Sequence, residues 1–277
     1  MKPDITIAIP VRNGAKSLPI CIASIIKACL KYTYEIIVVD GGSNDGSVEL
    51  ATSLNCEVYR GDYKLLAARR KGSAEANGNV VLLIDCDQIL LPESIDNAMA
   101  LINKGADMVA LGERVFQPST FFQKCSDSDK QLINLNVAAQ LDPLSGVILP
   151  RMFKKWILDE VFSAIPLEAD KTVLALDHAI IYYEASKISS RISFQVDAIL
   201  HCEPEEIQQI WSKNFRWGKS LGLQRKTQYY SELIGSKNRR RLSKEGSLKL
   251  KFMSFCFLAI KAPAFFSGQL FGVLSKN

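Results

Sequence analysis

A chain of 277 residues, 48% hydrophobic and 23% charged, has the length for one large α/β domain, or one domain plus an appendage, and for a sizeable core. Its seven cysteines are odd in number and form no CxxC pair, which excludes a disulfide framework and points to reduced core thiols in a cytosol. The net charge of +5 hides an uneven distribution: from Lys213 to Lys251 twelve basic residues face only Glu232 and Glu245, so that segment should seek anionic surfaces.

In chain order, the opening MKPDITIAIP has no secretory h-region, so no signal peptide is expected there. DITIAI, residues 4 to 9, is a β-branched strand stopped by Pro10, which leaves Arg12 and Asn13 in a loop at the strand end. Helical spacing follows over 17–31, and Glu35 to Val39 is a continuous apolar strand ending at Asp40. GGSNDGS then supplies a turn and a helix cap before SVELATSL, completing a βαβ unit. A weak strand at 56–59 precedes a helix that carries Arg69, Arg70 and Lys71, with Gly78 expected as its C-cap.

The next stretch, NVVLLIDCDQILLP, organises the rest. Val80 to Ile84 are apolar without alternation, as in a central strand buried on both faces of a parallel sheet. Asp85 and Asp87 stand where that strand leaves the sheet. Ligands of open α/β sheets bind beyond the carboxyl ends of the strands, so two hard oxygen ligands there suit a divalent cation holding a phosphorylated substrate. A solvated turn is the alternative for a lone DxD. Three strand ends, at Arg12 with Asn13, at Asp40, and at Asp85 with Asp87, are expected on one edge of a mostly parallel, right-handed sheet with helices on both faces.

Pro92 and Glu93 start a helix through Asn103, and Ala106 to Leu111 is a further strand. Residues 113–140 read as irregular, a lid or substrate loop. Gly146 then lies on a short apolar strand, where it marks either close approach to a ligand or a bulge. Both histidines follow: His178 beside Asp177, ahead of an apolar helical stripe, and His201 at the end of RISFQVDAILH. Pro204, Glu205 and Glu206 start a helix carrying Trp211, Arg216 and Trp217. Residues 252–274 hold one charge, Lys261. Their length suffices for a bilayer, but Lys261 and Pro263 near the middle argue for a broken helix lying in the interface, with Arg239, Arg240, Arg241, Lys244, Lys249 and Lys251 against anionic headgroups; a packed helix pair is the alternative. Because the basic cluster abuts apolar residues rather than interleaved aromatics, no nucleic-acid partner is expected.

Four blocks, IAIPVRNGAKSL, EIIVVDGGSNDGS, LAARRKGSAEANGNVVLLIDCDQILLPESI, and ALDHAIIYYEASK with AILHCEP, resemble in order the family 2 inverting glycosyltransferases of the GT-A fold. The resemblance covers about residues 4–222 and implies a catalytic domain over 1–222, while the basic cluster and contiguous apolar run make 223–277 a basic, amphipathic or hydrophobic helical extension expected at the membrane. It implies a metal-dependent enzyme (Mg²⁺ or Mn²⁺) that moves one sugar from a UDP- or GDP-linked donor; the C-terminal membrane segment is the reason to expect a lipid-linked or other membrane-proximal glycan acceptor, on the cytoplasmic face of the cell membrane. Carried over residue by residue, Pro10, Arg12 and Asn13 border the nucleotide, Asp40 receives the ring N–H of the base, and Arg69 supports base or phosphates. Asp85 lies near the ribose and Asp87 on the metal, with His201 a further metal or diphosphate contact. Asp177 falls on the catalytic carboxylate, and Gly146, His178, Arg216 and Trp217 fall on the acceptor side, the last two within KNFRW. The chain departs from the family where Arg12 replaces a common aromatic residue, Gly41 a frequent second Asp, Leu176 a frequent Glu, and Lys213 a Gln. The last change argues against processive polymer synthesis. The competing readings are a sugar-nucleotide-binding scaffold with a degenerate site and a sugar-phosphate nucleotidyltransferase, although IPVRNGAKS lacks the Gly-rich loop of the latter.

Overall fold

The computed structural model describes residues 2–139, 141–145, 150–227, 229–235 and 246–275. Gly146 and the Arg239, Arg240, Arg241 and Lys244 cluster lie outside the described residues. The first half alternates as β1 (Ile5–Val11), α1 (Leu18–Ala28), β2 (Tyr34–Asp40), α2 (Ser47–Ser53), β3 (Glu57–Arg60), α3 (Leu65–Glu75) and β4 (Val80–Leu83). Then come β5 (Gln88–Leu90), α4 (Ser94–Asn103), β6 (Met108–Val115), α5 (Phe121–Ala139) and β7 (Pro150–Lys154). The remainder is α6 (Lys155–Ala164), α7 (Asp177–Ile188), β8 (Ile192–His201), α8 (Ile207–Thr227), α9 (Ser231–Gly235) and α10 (Leu248–Leu274).

The eight strands form one sheet in the order β3-β2-β1-β4-β7-β6-β8-β5. The β3-β2-β1-β4 half is parallel, with Ile5 beside both Tyr34 and Val80. β7 runs antiparallel between β4 and β6, β6 and β8 are parallel, and β5 closes the edge antiparallel to β8. Alternation along buried strands divides the core into two layers. Ile5, Ile7, Ile9 and Leu82 face α1 and α4 on one side. Ala8, Val81 and Leu83 face α6 and α7 on the other. A strand with both faces covered is apolar throughout, which is why β1 and β4 are buried end to end.

Three expectations are corrected. α3 ends at Glu75, with Ala76 already extended, so Gly78 is not its C-cap. Gly78 instead serves a close approach to β1: a Cβ there would stand 2.5 Å from the Thr6 backbone nitrogen. Most of the stretch read as irregular is α5, whose buried face carries Ser126, Asp127 and Asp129, so apolar periodicity could not reveal it. α10 is one continuous helix rather than a broken one, although Pro263 lies inside it. Pro263 and Ala259 are both exposed, so the carbonyl that proline leaves without a donor faces outward, where it needs no partner from the protein.

α10 packs along α8 and also against α5. The two long helices meet backbone to backbone, because Gly218 and Gly222 of α8 oppose Gly268 and Gly272 of α10. A Cβ on Gly218 would stand 1.9 Å from the Phe265 carbonyl oxygen, and one on Gly268 would stand 2.1 Å from that of Phe215. Gly218→Ala must therefore push the helices apart. It should lower unfolding stability by about 1–3 kcal/mol, as overpacking does, read from urea denaturation and from faster proteolysis at α10.

Candidate active site

Beyond the carboxyl ends of β1 and β4 lies a cavity of about 560 Å³. Pro10 and Arg12 line it from the end of β1, and Arg69 reaches it from α3. Asp85 and Asp87 enter from the turn after β4, Asp177 and His178 from the first turn of α7, and His201 from the end of β8. Arg216 and Trp217 close it from α8, beside Phe265 of α10. Ten residues singled out in the sequence thus converge from six segments. Asn13 and Asp40 do not line this cavity. Asp40 is fully buried, and its carboxylate accepts hydrogen bonds from the backbone N–H groups of Gly42 and Ser43. Asn13, in the left-handed region at φ 55°, accepts from the Asn44 N–H through its side-chain oxygen. Both hold the loops around the β1 and β2 ends in shape. Gly41 is constrained there too: a Cβ would stand 2.6 Å from the Tyr63 carbonyl oxygen, so this loop has no room for an Asp at that position.

Arg69 is the hinge of the charge arrangement. Its side chain is 1% exposed; Nε donates to Asp177 Oδ2 at 2.5 Å and Nη2 to Asp85 Oδ1 at 2.5 Å. Arg69 Nη1 is buried without a hydrogen-bond partner among the described residues. The backbone at Leu176, immediately before Asp177, is in the left-handed region (φ 66°), a conformation that costs a leucine energy and turns α7 so that its first residue faces the cavity.

The sequence reading passed over a second buried guanidinium. Arg151, on β7, donates from Nη1 to Asp85 Oδ2 at 3.3 Å and contacts His178 Nε2 at 2.9 Å, while Nη2 donates to Glu113 Oε1 at 2.5 Å. Both oxygens of Asp85 are therefore taken by guanidinium groups. Burial works against the Asp85 charge, but Arg69 and Arg151 outweigh it and hold the group well below the usual carboxylate range. Glu113 is held down likewise, against burial, by Lys130 and Arg151. Lys130 reaches Glu113 at 2.9 Å and Glu203 at 3.5 Å, and Glu203 lies 3.5 Å from His201 Nδ1. The signal available beforehand was a lone arginine in the apolar run VILPRMF, since a charge in a buried strand requires partners.

Burial, followed by Arg69 and Arg151, pushes His178 down from its ordinary 6.5 to about 3. His178 is therefore neutral at physiological pH, and its Nε2 accepts from Arg151.

Asp87 and His201 answer to a different chemistry. Asp87 Oδ2 and His201 Nε2 are 3.5 Å apart at the cavity wall, close enough to share one divalent cation. Glu203 stands 3.5 Å behind Nδ1, which makes no hydrogen bond among the described residues, at the position from which an outer carboxylate would orient a ligating imidazole. Asp85, with both oxygens occupied, is not available to such an ion. Among the described residues no group of three or more His, Cys, Asp or Glu side chains forms a metal cage, so a cation held by Asp87 and His201 would need its remaining ligands from substrate and water.

Residues 6–145 match the family model described as glycosyl transferase family 2. An undecaprenyl-phosphate 4-deoxy-4-formamido-L-arabinose transferase of Proteus mirabilis is 28% identical over 165 residues, covering 56% of this chain and 50% of that protein. Its namesake from Pseudomonas fluorescens is 34% identical over 143 residues, covering 48% and 41% respectively. The chain thus spans about half the length of the curated relatives it matches. Among solved structures, S. aureus TarS 1-349 superposes with a TM-score of 0.55 at 16% identity over 95% of this chain and 81% of TarS 1-349; with UDP-GlcNAc bound, the TM-score is 0.55 at 15% identity over 98% and 76%. Glucosyl-3-phosphoglycerate synthase from Mycobacterium tuberculosis, in complex with Mn²⁺, UDP and glucosyl-3-phosphoglycerate, gives a TM-score of 0.54 at 17% identity over 79% of this chain and 78% of that one. These likenesses show the fold, which is GT-A.

Two outcomes follow from the charge network. Arg151→Met leaves Glu113 buried with one cation fewer and should cost about 3–5 kcal/mol in equilibrium unfolding, the penalty of breaking a buried pair from one side. His178 binds its proton in the unfolded chain below about 6.5 but in the fold only near 3. Its contribution to stability is complete above pH 6.5 and declines as pH falls toward 3. Thermal midpoints measured from pH 7 to 5 should therefore fall less steeply in His178→Gln than in the parent chain.

Proposed function

The chain belongs to glycosyl transferase family 2, and on that premise we propose that it moves one sugar from a nucleotide-sugar donor, UDP-linked in the first instance, to a lipid-linked acceptor at the cytoplasmic surface of the cell membrane, with inversion at the anomeric carbon. The observation that carries this reading is the single cavity in which Asp177 and the Asp85–Asp87 pair face each other across Arg69. Support for the donor comes from the complexes of the two structural neighbours with UDP or UDP-GlcNAc, and support for the acceptor from curated relatives named for transfer to undecaprenyl phosphate. We assign residues 1–222 to the catalytic domain and the rest to a membrane-proximal extension.

In this mechanism the acceptor oxygen forms a bond to the anomeric carbon as the bond to the diphosphate oxygen breaks on the opposite face. Asp177 accepts the proton of a hydroxyl nucleophile, and Arg69 fixes the orientation of its carboxylate. Arg12, at the cavity edge, faces the base and phosphates, and Pro10 packs beside them. Arg216, with Lys213 above the Trp217 ring at 5.1 Å, places positive charge on the acceptor side. Asp87 and His201 would hold Mg²⁺ or Mn²⁺, which when bound stabilises charge on the departing diphosphate. Asp85 and Arg151 maintain the floor on which donor and acceptor meet, and His178, neutral, presents no competing charge beside Asp177.

The test is hydrolysis and binding of UDP-, GDP- and dTDP-sugars with Mn²⁺ or with EDTA. One donor should bind and hydrolyse slowly in a metal-dependent way, and Asp87→Ala should remove both effects. Well-folded protein that neither binds nor turns over any donor would overturn the reading. Asp177→Asn separates the two kinds of acceptor oxygen. It should lower kcat for a hydroxyl acceptor by roughly 10²–10⁴-fold at unchanged donor KM, while a phosphate acceptor, already anionic, retains most of its rate.

A further inference from the structure

α10 is built inside out for a helix on the surface of a water-soluble domain. Its inward face carries the polar groups: Ser254 donates to Asp129 at 2.7 Å, Lys261 approaches the same carboxylate at 3.5 Å, and Gln269 lies against the Arg225 guanidinium. Its outward face is apolar along its whole length. Leu248, Phe252, Phe255, Ala259, Pro263, Phe266, Leu270 and Leu274 recur at the three- and four-residue spacing of one helical stripe, and all are exposed, Phe252 by 63% and Phe266 by 64%. Water alone gives no reason to hold three such phenylalanines out of a core.

Charge identifies the occupant. α8 and α10 together contain eight Lys or Arg and no Asp or Glu. Lys249 and Lys251 stand at the start of the stripe, Lys219 sits over the Phe271 ring at 5.0 Å, and Lys226 donates to the Ser275 carbonyl at its far end. An apolar stripe with cations at both ends matches the acyl boundary of a bilayer with anionic headgroups around it. At 27 residues, about 40 Å, α10 has the length and composition to cross a membrane. Its partners forbid that orientation. α8 is locked against it by the glycine contacts, so a crossing would carry Lys213, Arg216 and Lys219 into the hydrocarbon, each at a cost of a few kcal/mol.

We propose that the outward face of α10 lies flat in the interface of an anionic bilayer, inserting its apolar stripe to the acyl boundary and setting the cavity mouth at the level of the headgroups. Phe265 of α10 and Trp217 of α8 line that cavity, so the helix pair that meets the bilayer also borders the site that would receive a lipid-linked substrate. The proposal rests on the glycosyltransferase reading for what the cavity receives, but it is read from vesicle binding, independently of sugar transfer.

The experiment is flotation of the full chain with vesicles of phosphatidylcholine plus phosphatidylglycerol and of phosphatidylcholine alone. The chain should float with the first, less with the second, and less at high salt. Phe252→Glu with Leu270→Glu should weaken partition at least about tenfold, and Lys249→Glu about fivefold on anionic vesicles only. Thermal midpoint and donor hydrolysis in detergent-free buffer should stay at parental values in both. Tryptophan introduced at 252, 259 or 270 should be quenched by brominated lipids to one common shallow depth. Failure of the parent chain to float, indifference to the stripe variants, a dimer that the same variants dissociate, or deep burial of position 259 between shallow ends would each overturn the proposal. Loss of donor hydrolysis alone would instead count against the catalytic reading.

Discussion

A single buried guanidinium sets the terms for the rest of the site. Arg69 can stay charged at 1% exposure only because Asp177 and Asp85 each give it an oxygen, and each carboxylate in turn keeps a fixed orientation because Arg69 is there. The two acids lie 92 residues apart in the chain, on α7 and after β4, so this ion triad also ties α3, α7 and the turn after β4 together at the cavity. Charge that would be costly alone becomes a positioning device when every partner is itself held.

The same logic extends outward. Arg151 shares Asp85 and His178 with the Arg69 cluster and passes to Glu113, Lys130 and Glu203, ending at the His201–Asp87 edge. Carboxylates and cations alternate along this path, which explains how several charged side chains survive behind the cavity wall. It also explains the burial of the polar face of α5, which supplies Lys130 and packs against charged groups rather than oil. Between the two guanidinium groups a neutral imidazole is the inexpensive choice, since a third positive charge there would be repelled by both.

α8 and α10 connect this interior to the surface. Their backbones touch at four glycines, so the pair behaves as one slab with two dissimilar faces: one closes the cavity through Trp217 and Phe265, and the other presents an unbroken apolar stripe. Close packing of small residues is what lets a helix with so little buried area remain attached to the domain.

The local sequence determined the strands, since runs such as Val80–Ile84 are apolar on both faces only in a covered sheet, and it determined which side chains stand at strand ends, because the turn formers after Val11, Asp40 and Leu83 leave the chain no other course. Motif order determined the family. What the fold alone decided are pairings between residues far apart. Arg69 meets an acid 108 positions away, Arg151 is recruited from an apolar strand, and Asp40 is consumed by its own loop while Asp85 gives both oxygens to arginines. α5 was illegible because its buried face is polar, and the course of α10 because proline and lysine read as interruptions, whereas in the fold Pro263 faces outward and Lys261 reaches Asp129 of α5. Periodicity reports contact with oil, so it is silent wherever the core is made of charge; there, only the three-dimensional arrangement of partners decides which polar residue is buried and which is free to act.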